Sequence, residues 1–204
     1  MSIVAIGTIS GFFYEVVEDA IKTRRVQVTE GTTSYLVSLL SGFARPDLRA
    51  EETMDRPLAF LLDEALHEAS PAERFERLRS LGDGVLYSCG FFADHFEARG
   101  VDQSYLVAIG STAYGAASTM LAPSLQRQQD EARIDIFGEL ASKFSSCVEV
   151  IADVADVTVA KGAAGSKGLL KLYERWLKTG SNRLAKTLSS QGLVPTRGGK
   201  GVLQ

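Results

Sequence analysis

An all-α fold, a single bundle of about eight or nine helices around a central uncharged helix, is what the sequence predicts. Three observations predict it. Apolar residues recur three and four positions apart in segment after segment, with no sustained period-2 alternation. Recognisable caps and breakers separate those segments. Between Asp102 and Arg127 lie 24 residues, Gln103 to Gln126, without a charge or a histidine. This run mixes Leu, Val, Ile and Met with Gly110, Gly115 and five alanines, which suits a helix that neighbouring helices approach closely.

Each element follows from its residues. After a short apolar start, Ser10 is placed to cap a helix carrying Phe13, Val16, Val17, Ala20 and Ile21 on one face. Val26-Gln-Val28 reads as an extended link. The next stripe is Tyr35, Leu36, Leu39, Leu40 and Phe43, ending before Pro46. Pro57 suits the first turn of a helix through Leu58, Leu61, Leu62, Ala65 and Leu66. Ser70-Pro-Ala-Glu73 is a capping box with proline at the first helical position. That helix is expected to stop at Gly82, with Asp83 capping another that ends at Gly100. Asp102 caps the uncharged helix, and Pro123-Ser124 is expected to break it. A long helix from about Leu125 to Val154 follows. Gly162–Ser166 reads as a linker, and helices over 167–178 and 181–190 break at Thr179-Gly180. The expected organisation is one domain over 1–194 and a flexible tail over 195–204.

Composition bounds the function. The chain has 204 residues, enough for a core without disulfides or metals. A net charge of −3 with scattered Lys and Arg argues against nucleic acid. Six Ser or Thr, two Gly and a Pro inside the uncharged run argue against a transmembrane segment. Cys89 and Cys147 sit among apolar residues and read as buried free thiols, and no secretion signal opens the chain, so a cytoplasmic location is expected.

No catalytic set is complete. Lys161-Gly-Ala-Ala-Gly-Ser-Lys-Gly168 departs from the phosphate-binding loop pattern in both glycine spacing and the order of Ser166 and Lys167. Lys178-Thr-Gly180 lacks the Ser-x-x-Lys that such a triplet accompanies. Glu64-x-x-His67 has di-iron spacing, but Phe92 stands where the motif at His95 needs a glutamate. No metal and no cofactor are therefore expected. A nucleophilic use of His95 with Cys147 or Asp94 requires those groups to meet in space.

Two regions carry the remaining expectations. Tyr87, Phe91, Tyr105 and Tyr114 are candidates to line an apolar pocket for a small molecule or lipid. Tyr173, Arg175, Trp176 and Arg183 in the cationic C-terminal segment, with Gly110 and Tyr114 in the uncharged helix, are candidates for contact with a protein partner or a second copy. The expected function is non-enzymatic: a scaffold, adaptor or regulator acting by self-association, as a homo-oligomer, or by partner binding.

Leu172-Tyr-Glu-Arg-Trp-Leu-Lys-Thr-Gly-Ser-Asn-Arg-Leu-Ala185, with Leu81-Gly-Asp83 and Gly90-Phe-Phe-Ala-Asp94, is similar to a family of bacterial helical proteins of about this length. The resemblance covers most of the chain and implies no activity, ligand or site.

Overall fold

The computed structural model describes residues 2–44, 56–127, 135–162, 165–193 and 195. Among the described residues the chain forms ten helices and no strand, the expected all-α bundle with one or two helices more than the sequence predicted. They are α1 (Ser2–Arg24), α2 (Glu30–Phe43), α3 (Leu58–His67), α4 (Pro71–Phe91), α5 (Ala93–Ala98), α6 (Gln103–Arg127), α7 (Ile136–Ser142), α8 (Phe144–Gly162), α9 (Gly165–Thr179) and α10 (Asn182–Ser190). None is long and apolar enough to cross a membrane, among the described residues. The contacts group into two compact units, Met1–Asp153 and Val154–Gln204. The expected tail lies outside the described residues except for Pro195.

In the first unit the uncharged helix α6 packs most extensively on α4 and also on α7, while α1 pairs with α2 and α3 with α4. Leu106, Ala113, Tyr114 and Ala117 on α6 are 2% exposed or less. The small residues serve contact within the chain. A Cβ built on Gly110 would stand 2.1 Å from Cζ of Phe144, so the glycine is the seat of that ring.

Caps act where the sequence placed them. Ser70 accepts a hydrogen bond from the Glu73 N–H and Asp102 from the Ser104 N–H, while Ser181, expected as the first residue of the last helix, caps it instead by accepting from the Leu184 N–H. Gly100 and Gly192 close helices with positive φ, each with the paired backbone bonds that satisfy the last carbonyls.

Four boundaries differ from the expectation. α1 already runs from Ser2, so Ser10 is inside it, and its hydroxyl lies 3.3 Å from that of Ser41. α4 does not stop at Gly82 but continues to Phe91, where the chain breaks at Phe92 before α5. α6 passes Pro123 and ends four residues later, so the lost backbone hydrogen bond is confined to its last turns. The long helix from Leu125 is not continuous. Residues 128–134 lie outside the described residues, Asp135 caps α7 through the Gly138 N–H, and Lys143 separates α7 from α8.

The second unit is built from the end of α8 with α9 and α10. Leu172, Trp176, Leu184 and Leu188 are its buried centre, with Val159, Ala160, Leu169 and Tyr173 packed around them. Both α9 and α10 turn one apolar face inward, which is what lets such short helices hold together.

Replacing Gly110 by leucine should overfill the seat of the Phe144 ring and lower the unfolding free energy by about 3 kcal/mol. Urea titration followed by far-ultraviolet circular dichroism measures this. An unchanged midpoint would show that α6 and α8 do not meet as described.

Candidate functional site

The centre of the first unit is a polar cluster that the sequence disguised. Gly82-Asp83 looks like a helix stop followed by a cap, yet both residues lie inside α4. The Tyr114 ring of α6 lies against Gly82, where a Cβ would stand 2.6 Å from it. Its hydroxyl donates to Oδ1 of Asp83 at 2.7 Å, and the Tyr35 hydroxyl of α2 donates to the same oxygen at 2.7 Å. One carboxylate oxygen thus joins three helices. Burial pushes the Asp83 carboxyl up, and the Tyr114 and Tyr35 hydroxyls with the nearby Arg79 charge offset that only in part. Burial and the Asp83 charge push both phenols above their ordinary range, so both stay protonated donors. The cluster ties α2, α4 and α6 together.

The other chemistry-bearing residues are equally committed. Cys89 and Cys147 are free thiols, 2% and 1% exposed, and burial pushes each up to about 12. Such thiols are inert rather than nucleophilic. His95 is exposed on α5, whereas Cys147 is sealed in the core. Glu64 is paired with Arg56 and His67 with Asp63. No group of side chains suited to a metal ion occurs among the described residues.

The four pocket candidates have separate surroundings. Tyr87 stacks between Phe43 and Phe91, with ring centroids 4.3 and 4.6 Å away. Tyr105 is 39% exposed, and its hydroxyl accepts from the Ala59 N–H at 3.2 Å. Tyr114 is fully buried in the Asp83 cluster. A cleft of about 330 Å³ opens elsewhere, where the end of α4, α5 and the start of α6 meet. Cys89, Phe96, Val101 and Leu106 give it an apolar wall, and Glu97 and Gln103 give it a polar one. Sequence reasoning missed it because its walls come from three helices that share no period.

In the second unit, Trp176 is 7% exposed in the unit's own core, and Tyr173 packs beside it with ring centroids 5.6 Å apart. Arg175 donates through Nε to Oδ1 of the buried Asp156 at 2.7 Å. Arg183 lies on α10, its side chain outside the described residues. What remains on the surface is Leu170 at 58% and Leu177 at 42% exposure, seven positions apart on α9. Residues 154–204 hold nine Lys or Arg against two acidic residues, a formal charge of +7. Residues 1–153 hold 13 against 23, a formal charge of −10. The small net charge conceals this separation.

The chain matches no protein-family profile, no curated protein and no solved structure.

One further cluster fixes α7. Oε2 of Glu139 accepts from the Thr29 N–H at 2.9 Å and from the Thr29 and Thr32 hydroxyls at 2.7 and 2.5 Å. Oε1 accepts from Lys143 at 2.9 Å, and Lys143 also donates to the Gln27 carbonyl. This clamp ties the start of α2 to α7. Burial pushes the Glu139 carboxyl up, but the Thr32 hydroxyl, Lys143 and the Thr29 donors outweigh it and hold it near about 2, below its ordinary 4.5. A depressed carboxyl contributes stability that is present above its unfolded value and lost as pH falls through its folded value. Glu139→Gln should therefore cost about 2–3 kcal/mol at pH 7. It should also flatten the loss of stability that the unaltered protein shows between about pH 4.5 and 2. Denaturant titrations across that range measure both, and parallel acid limbs for the two proteins would contradict the clamp.

Proposed function

We propose that the protein acts by association rather than catalysis, as a scaffold or regulator whose second unit docks on acidic protein surfaces. The observation that carries this reading is the charge separation, +7 over residues 154–204 against −10 over residues 1–153. Opposed potentials of this kind steer encounter and set partner choice. The inward use of Trp176 and Arg175 supports it, because a helical pair with its own core presents its outer residues on a rigid frame. Buried, unreactive cysteines support a reducing, cytoplasmic setting. The catalytic use of His95 with Cys147 has no comparable support, since that thiol is both buried and pushed up to about 12.

A second reading rests on the cleft beside Cys89. Its volume of about 330 Å³ is at the small end of ligand sites, and its mixed walls suit a small molecule with one apolar and one polar end. Native mass spectrometry of the purified protein tests it. Bound mass that disappears in Leu106→Trp favours the sensor, and a bare chain in both forms disfavours it.

The docking reading makes a direct prediction. At pH 7.5 and low salt the chain should bind immobilised poly-L-glutamate despite its net charge of −3. Lys171→Glu, Lys178→Glu and Lys186→Glu together should weaken that binding at least tenfold, as should raising salt to about 0.5 M. Equal retention of the triple variant, or no retention of the unaltered chain, would refute the reading.

A further inference from the structure

Among the exposed large apolar side chains, which also include Ile9, Tyr14, Phe92 and Leu193, two helices stand out because they belong to units of opposite formal charge. On α9, Leu170 and Leu177 are exposed seven residues apart and so lie on one face. In the sequence Lys171 and Lys178 follow them, one after each, with the exposed Glu174 between, and residues 154–204 carry a formal charge of +7. On α3, in the acidic unit, Phe60 is 64% exposed and Leu66 is 39% exposed. The Tyr105 ring, 39% exposed, is held against this helix through the Ala59 N–H. Asp63 and Glu64 stand between Phe60 and Leu66 with side chains 70% and 47% exposed. Exposed apolar groups rimmed by polar ones mark interaction surfaces. Arg56 and His67 pair with the α3 carboxylates and Glu174 stands between the two leucines of α9, so the complementarity lies in the formal charges of the two units, −10 around α3 and +7 around α9.

We infer that α9 of one copy docks on the α3 surface of a second copy. The inference rests on the reading of the second unit as the docking element and names its partner. An anionic lipid surface would take up α9 and its lysines but would leave the acidic, Phe60-bearing α3 surface unexplained. Nucleic acid would likewise take up the lysines through its phosphates and leave the α3 surface unexplained. A second copy accounts for both surfaces at once. Because the two patches differ, the contact is heterologous: it closes into a ring or continues from copy to copy. Its strength falls with salt, since rim charges within a Debye length contribute to it.

The test uses the full chain and light scattering at low and high salt. The unaltered protein should exceed monomer mass at about 20 mM salt and return to monomer at about 0.5 M. Lys171→Glu with Lys178→Glu should raise the dissociation constant at least tenfold. Asp63→Lys with Glu64→Lys should do the same. These changes leave the fold in place, because the pairs of Asp63 and Glu64 are exposed and contribute little. An equimolar mixture of the two double variants should regain assembly, since each altered surface then meets one of opposite sign. Three results would overturn the inference: a monomer at all salt concentrations, assembly that survives the α3 changes, or no rescue in the mixture. Poly-L-glutamate binding that persists in those cases would show that the second unit still docks on acid and that only the partner is misassigned. Phosphatidylserine vesicles bound by a chain that stays monomeric would assign α9 to lipid instead.

Discussion

The first unit depends on the seating of Tyr114 against Gly82. A helix as apolar and as long as α6 approaches α4 closely only where one helix presents no side chain, and Gly82 provides that opening. The ring then lies within 5.8 Å of both Phe137 and Phe144, and its hydroxyl reaches Asp83, which also holds Tyr35. One side chain thus couples a packing constraint to a polar one. A buried carboxylate is tolerable because two phenols donate to it, and the phenols are tolerable in the core because the carboxylate accepts.

The same economy extends to the other buried polar groups among the described residues. The thiols are packed as small apolar groups, Glu139 is bound by Thr29, Thr32 and Lys143, and Asp156 is taken by Arg175. Facing solvent are apolar side chains such as Phe60, Leu170 and Leu177, on units whose formal charges are opposite in sign. These are the features on which the proposed association through two unlike surfaces rests.

The fold class, the uncharged helix and most caps were legible because they depend on local physics. Ser70, Asp102 and Gly100 act through neighbours a few residues away. The misread boundaries have non-local causes. Gly82-Asp83 carries the letters of a stop and a cap, but the helix propensity cost of one glycine is only about 1 kcal/mol, and the Tyr114 ring packed there offsets it. The interruption at Lys143 accompanies side-chain bonds that reach back to Gln27, Thr29 and Thr32, more than a hundred residues away in sequence. Trp176 was legible as an apolar anchor, while the choice between its own core and a partner needed coordinates. The opposed charges were present in the sequence throughout, but they have meaning only once the boundary at Asp153 divides them.

The most direct measurement of the central claim is hydrogen–deuterium exchange of the full chain at low salt, at two concentrations about a hundredfold apart. Association through the two surfaces predicts slower exchange at the higher concentration over α3, Leu58–His67, and α9, Gly165–Thr179, with the interior of α6 unchanged. Exchange that is the same at both concentrations in every segment, or slowed only away from those two helices, would contradict it.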